Sequence, residues 1–181
     1  MKQVIIISGY RGTMKTTVAN RLSKDLDVVC LRRTSILESL SRSLTWTDKY
    51  DKLGLKIAAH NLMIKLMQEV LEATQRVILV SNFNEKEIID LLTLCKMREF
   101  DTINVFLSGD NDIIYERFVT KQKYTNPINK IDEITDFKTF FADLILFDET
   151  LYGEDVIDVD TTDYSEYDYL KIRKQVLERL R

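Results

Sequence analysis

Five short apolar runs, each bounded by polar or turn-forming residues, set the rhythm of the chain. Residues 4–8, 27–31, 76–81, 102–108 and 155–158 are rich in β-branched residues or leucine and predict strands. Val4 to Ile7 is apolar at every position, the pattern of a strand covered on both faces in a parallel sheet. Between these runs, helical patterns cover 16–26, 35–43, 55–73, 85–98, 112–121, 133–146 and 167–180. In the longest, Ile57, Leu62, Ile64, Leu66, Met67, Val70 and Leu71 form an apolar stripe expected to pack on the sheet. Strands alternating with helices predict an α/β fold: a three-layer, doubly wound parallel sheet of about five strands, with ligands at the carboxyl ends of the strands. No repeat, low-complexity tract or Pro/Gly/Ser-rich linker interrupts the sequence, so residues 1–181 are expected to form one domain.

The first predicted strand leads into Ser-Gly-Tyr-Arg-Gly-Thr-Met-Lys-Thr-Thr, residues 8–17, which falls one residue short of a P-loop. The pattern G-x-x-x-x-G-K-[ST] belongs between a buried strand and a helix start. Gly9 fills the first position, Lys15 the lysine and Thr16 the hydroxyl, while Met14 stands where the second glycine belongs. Val18, Ala19 and Leu22 follow at helical spacing, so the context agrees on both sides. Backbone N–H groups of Gly12 to Thr16 can converge on a phosphate at the helix N-terminus, where the dipole also favours an anion. Lys15 would neutralise the β- and γ-phosphates, and the Thr16 hydroxyl would bind Mg²⁺. Gly9, Gly12 and Thr13 would shape the cradle, with Met14 and Thr17 completing the nucleotide-binding set. Met14 fits only if its φ is negative or if strain is tolerated, because a Cβ obstructs the turn that glycine allows.

Composition narrows the classes. The length of 181 residues, 45% hydrophobic content and 30% charged content suit one soluble α/β domain with a buried core. A net charge of −3 argues against a surface built wholly for nucleic acid, though it leaves room for a local basic groove. Cys30 and Cys95 have no C-x-x-C partner and read as buried thiols of a cytoplasmic protein. His60 is the sole histidine, which disfavours a His-based metal cluster or a Ser-His-Asp triad. No signal peptide precedes the first strand and no apolar run approaches membrane-spanning length, so no membrane partner is expected.

The segments Val77-Ile-Leu-Val-Ser-Asn-Phe83, Val105-Phe-Leu-Ser-Gly-Asp-Asn-Asp-Ile-Ile-Tyr-Glu-Arg-Phe118 and Val156-Ile-Asp-Val-Asp-Thr-Thr-Asp163 follow the P-loop in order. With it, the chain resembles the small P-loop kinases of the predicted-kinase AAA type, with shikimate, gluconate and nucleoside monophosphate kinases as more distant relatives. The three segments are similar to that family's third strand, its fourth strand with the helix leading to the lid, and its last strand. The resemblance implies a P-loop NTPase/kinase fold, ATP and Mg²⁺ as cofactors, a lid around 118–132, and an arginine at Arg117 that reaches the nucleotide phosphates.

Departures from the family pattern gather at the chemistry. The acidic residue usual after the second strand is absent from Arg32-Arg33-Thr34-Ser35, Val80 stands where the third strand usually carries Asp or Glu, and the lid reads Lys123-Tyr-Thr-Asn-Pro127. Lost Mg²⁺-organising carboxylates should be costly for phosphoryl transfer. Arg32 and Arg33 are acceptor-side candidates for an anionic acceptor, with a surface pair as the alternative. Ser81 and Asn82 could hydrogen-bond a Mg²⁺-bound water, or Asn82 could cap the next helix. Arg117 alternatively pairs with Glu116 or Asp112, and Lys121, Lys123 and Lys130 make the lid basic. Asp48 and Asp51 are spare carboxylates, one of which could replace the missing base, while both also suit a solvated turn. Asp110 and Asp112 read as a helix cap before a metal pair, and Tyr164, Tyr167 and Tyr169 as packing.

Three functions fit these residues. One is a kinase moving the γ-phosphoryl group of a nucleoside triphosphate to a small-molecule, nucleotide or polynucleotide hydroxyl, with Lys15 and Arg117 in catalytic roles. Another is a catalytically impaired nucleotide-binding module with a degenerate site. A nucleic-acid end kinase resting on Arg32 and Arg33 is the third. The acceptor is unnamed by the sequence, which does not separate GTP from ATP either.

Overall fold

The computed structural model describes residues 1–123, 136–144, 151 and 155–180. Its strands are β1 (Gln3–Gly9), β2 (Val29–Arg32), β3 (Arg76–Val80), β4 (Asp101–Ser108) and β5 (Ile157–Asp160). Its helices are α1 (Lys15–Leu26), α2 (Arg33–Ser43), α3 (Lys49–Ala73), α4 (Glu85–Met97), α5 (Asn111–Lys123), α6 (Phe137–Leu144) and α7 (Glu166–Arg179). The sheet order is β2-β3-β1-β4-β5, and every pairing is parallel. β1 lies at the centre, with Ile7 in register with both Val80 and Val105. Its seven residues are all buried, as an unbroken apolar run in a doubly covered strand requires.

Alternation along β1 divides the core into two layers. Ile5 and Ile7 join Val18, Ala19 and Leu22 of α1 and Tyr169, Ile172 and Val176 of α7. Val4 and Ile6 face the other way, onto Met63, Met67 and Leu71 of α3 and Ile88, Leu91 and Cys95 of α4. This is the expected three-layer, doubly wound α/β arrangement.

Several local expectations shift. The buried face of α3 is Leu55, Ala59, Met63, Met67 and Leu71, at steps of four, whereas Ile57 and Leu62 are 52% and 40% exposed. Ile57 lies two residues from Ala59, which at about 100° per residue turns it to the opposite side of the helix. α3 also begins six residues before the predicted start, because the Asp48 carboxylate caps it by accepting from Tyr50 N and Asp51 N at 2.7 and 2.9 Å. Asp51 in turn accepts from Thr47 N and Thr47 Oγ1, so both spare carboxylates serve the local turn. β5 starts two residues late, where Ile157 and Val159 alternate inward against β4.

The terminal tyrosines divide. Tyr169 is buried, donates to Asp25 at 2.6 Å and lies 3.6 Å beneath the Arg21 guanidinium, which also grips Glu166. Tyr164 packs on the same core, but Tyr167 is 74% exposed. Cys95 is buried, and burial pushes its thiol up to about 12; Cys30, expected to be buried, is half-buried because it sits on edge strand β2. Among the described residues no helix is long and apolar enough to cross a membrane.

Candidate active site

The turn from β1 into α1 is fixed from two sides. A Cβ at Gly9 would lie 2.0 Å from the Leu107 carbonyl oxygen, and Tyr10 N donates to that same oxygen at 3.0 Å. A Cβ at Gly12 would lie 2.1 Å from the Ile114 carbonyl oxygen. Gly9 and Gly12, with φ of 128° and 79°, therefore let the loop press against β4 and α5. Gly9 packs behind the cleft and does not line it.

Met14 adopts φ 62° and ψ 17°, the left-handed conformation of a glycine. Of the two conditions under which a methionine fits, strain tolerated is the one met. Its carbonyl accepts from Thr17 N and Val18 N, opening α1 one residue earlier than predicted. Met14 offers no side-chain cap, and the first turn carries no acidic residue. By helix geometry the N–H groups of Lys15 and Thr16 therefore lack intrahelical acceptors at the positive end of the dipole.

Lys15 folds back over this loop. Its Nζ donates to the carbonyls of Gly9, at 3.0 Å, and Tyr10, and to Thr13 Oγ1 at 3.3 Å. Thr13 is buried and donates its own hydroxyl to Tyr10 O at 2.6 Å, which braces the loop from inside. Burial lowers the Lys15 ammonium to about 7, with smaller contributions from the nearby charges of Arg11 and Lys121.

The loop opens onto a cleft of about 850 Å³ at the carboxyl ends of the strands. Gly12 to Thr17 form its floor, α5 supplies Arg117, Phe118 and Lys121, and the β2–α2 segment supplies Arg32, Thr34, Ser35, Leu37 and Glu38. Asn82 lies between, following β3. Arg11, Lys15, Arg32, Arg117 and Lys121 thus surround one space, in a chain of net charge −3. Such a concentration of cations at an uncapped helix start suits a polyanionic ligand.

The remaining candidates separate. Arg117 faces the cleft, but its guanidinium donates to the carbonyls of Thr161 and Thr162 at 2.7 Å each, bonding the β5–α7 turn instead of Glu116 or Asp112. Arg32 lines the cleft and donates to Asn20 Oδ1 at 3.1 Å. Arg33 does not line it: it pairs with Glu87 at 2.9 Å and reaches Ser81 Oγ at 3.4 Å, which draws Ser81 into the same buried contact. Asn82 faces the cleft and leaves capping of α4 to Asn84, whose side chain forms a reciprocal box with Glu87. Asp110 caps α5 by accepting from Asp112 N and Ile113 N. The lid around 118–132 lies outside the described residues from 124 onward, Lys130 included; residues 118–123 are the end of α5.

Glu38 is the residue that the sequence reading missed. It is the one carboxylate lining the cleft among the described residues, and it projects from the second turn of α2. Thr34 and Glu38 stand four apart on one helical face, and that spacing was the available signal.

No protein-family model and no curated protein matches the sequence. Solved structures do match its shape. A candidate kinase from Chloroflexus aurantiacus superposes with a TM-score of 0.84 over 99% of both chains at 22% identity. A sugar kinase from Janibacter gives 0.62 at 15% identity, covering 98% of this chain and 95% of its own. A shikimate kinase from Bacteroides thetaiotaomicron gives 0.57 at 14% identity over 97% and 96%. The chain has the P-loop kinase fold. In that fold the cleft at the end of β1 is the place where the sequence expects a nucleotide, and the cations and uncapped α1 stand there.

Proposed function

We propose that the protein is a phosphotransferase that binds ATP·Mg²⁺ at the β1–α1 loop and passes the γ-phosphoryl group to the hydroxyl of a small acceptor. The observation that carries this is the uncapped start of α1 with Lys15 folded over the loop inside a cleft of five cationic side chains. Free N–H groups and cations are the donor set a triphosphate needs, so the residues fit the nucleotide. In this reading Lys15 would leave the Gly9 and Tyr10 carbonyls to meet the phosphates, and the Thr16 hydroxyl would hold Mg²⁺. The bound cation would offset charge on the transferring group. Arg32 and Asn82 face the acceptor, and Arg117 holds the β5–α7 turn against the cleft.

A small acceptor is favoured over a nucleic-acid end because Arg33 is committed to Glu87 and Ser81, which leaves Arg32 alone on that wall. Salt-dependent retention of an oligonucleotide would argue the other way. A second reading, a nucleotide-binding module with impaired catalysis, is supported by Val80 at the end of β3 and by the strained Met14.

The deciding experiment is calorimetric titration with ATP and a non-hydrolysable analogue, with and without Mg²⁺, on wild type and Lys15→Ala. Mg²⁺-dependent binding in wild type, weakened at least about 100-fold in the variant, is the expected result. Equal binding by both proteins would overturn the placement of nucleotide at this loop.

A further inference from the structure

We infer that Glu38 is the general base of this site, accepting the proton of the acceptor hydroxyl during phosphoryl transfer; the inference rests on the kinase reading above. Three observations lead to it. The expected strand-end carboxylate is missing, since residues 32–35 carry no acid and Val80 ends β3. The cleft nevertheless contains one carboxylate among the described residues, and it stands on the wall opposite α5 with Thr34, Ser35 and Arg32. Glu38 is also uncommitted: among the described residues its side chain takes part in no hydrogen bond or ion pair, and only its backbone carbonyl accepts, from Ser41 Oγ at 2.9 Å.

Other acids without a side-chain partner, such as Glu72, Glu85, Glu99 and Glu116, are exposed and stand away from the cleft, whereas Glu38 lines it. Asp48, Asp51, Glu87, Asp110, Asp160 and Asp168 all accept hydrogen bonds from nearby backbone N–H groups. An acid without a structural partner, half-buried in a basic cleft, is placed for a ligand. Five cationic side chains line the same space, and no group of three metal-ligating side chains occurs among the described residues.

The balanced step is direct. The acceptor oxygen forms a bond to the γ-phosphorus as the bond from that phosphorus to the β,γ-bridging oxygen breaks. The bridging electron pair leaves with ADP, and the hydroxyl proton passes to a Glu38 carboxylate oxygen. Water in the acceptor position follows the same course and gives slow ATP hydrolysis. Ser35 and Thr34, beside Glu38, supply hydroxyl groups that can hydrogen-bond a polar, hydroxylated acceptor.

The test uses the full chain, [γ-³²P]ATP with Mg²⁺, and two probes: water alone, and a mixture of D-gluconate, shikimate, a nucleoside and a nucleoside monophosphate. Glu38→Gln keeps shape and removes the base, and Glu38→Asp keeps the carboxylate one methylene shorter. We expect kcat for hydrolysis, and for any transfer found, to fall about 100-fold or more in Glu38→Gln. KM for ATP should change less than about threefold, and Glu38→Asp should recover part of the rate. Equal kcat in wild type and Glu38→Gln would overturn the proposal. So would wild type that binds Mg²⁺·ATP yet transfers to neither probe, because the base would then have no proton to take. Loss of ATP binding in Lys15→Ala together with unchanged kcat in Glu38→Gln would leave the kinase reading standing and remove this inference alone. Absence of ATP binding in wild type would remove both.

Discussion

Met14 offers a direct test of the loop, because its backbone conformation reverses the ordinary ranking of small residues. At φ 62° and ψ 17° an L-residue carries a steric cost of about 1–2 kcal/mol that glycine avoids. Glycine in turn gives the unfolded chain about 0.5–1 kcal/mol more conformational entropy to lose. Met14→Ala and Met14→Gly both remove the half-buried side chain, so their difference isolates the backbone. In a helix interior Ala would be the more stable by about 1 kcal/mol. Here Gly should be the more stable by roughly 0.5–1 kcal/mol, which for a chain of this size is a Tm about 1–4 °C higher. Urea unfolding of the two variants, read as a shift of midpoint at constant slope, measures the difference. An Ala variant as stable as the Gly variant would refute the left-handed assignment, and with it the claim that this loop keeps a P-loop shape without its second glycine.

Three further outcomes follow from the same loop. Gly12→Ala places a Cβ against the Ile114 carbonyl at a φ of +79°, so it should lower stability by about 2–4 kcal/mol, with a proportionate fall in urea midpoint. Lys15 titrates near 7 in the folded protein and near 10.5 otherwise, so between those values the unfolded chain holds more protons. Stability should therefore rise with pH across that window and flatten in Lys15→Met, as followed by urea midpoints at several pH values. Polyphosphate favours the charged ammonium, so ATP binding above pH 7 should take up a proton, visible as a buffer-dependent calorimetric enthalpy.

Short-range features of the sequence carried most of the fold. The unbroken apolar run of Val4 to Ile7 marks the central strand because only a strand covered on both faces can place every side chain in the core. The strand–loop–helix context located the β1–α1 turn despite Met14. Distant partners decided what was missed. Whether Arg33 faces a ligand depends on Glu87, and whether Arg117 pairs on its own helix depends on carbonyls 44 and 45 residues away. Neither relation leaves a local trace. The left-handed φ of Met14 belongs to a loop pressed onto β4 at Gly9 and onto α5 at Gly12, contacts about 100 residues away in sequence. Glu38 escaped because the expected carboxylate was sought at the strand end, in residues 32–35, and then at Asp48 and Asp51, with the helix between passed over. Since α2 begins directly at Arg33, the helix face that carries Thr34 comes round again at Glu38, one turn along.

Two unfavourable features coincide at one loop, and this bears on whether it is a relic. Met14 holds a conformation costing about 1–2 kcal/mol, and the Lys15 ammonium is desolvated beside two other cations. Each could be relieved by a single substitution, glycine at position 14 or an uncharged side chain at 15. Neither feature improves the core, since the residues of α1 that fill it are Val18, Ala19 and Leu22. What both features do together is hold the N–H groups at the start of α1 open to the cleft with a cation ready above them. Strain and desolvation of that kind are repaid only when an anion arrives, which supplies the hydrogen bonds and the counter-charge at once. The local energetics therefore favour a loop that binds phosphate, and replacing Glu38 tests the chemistry on the opposite wall.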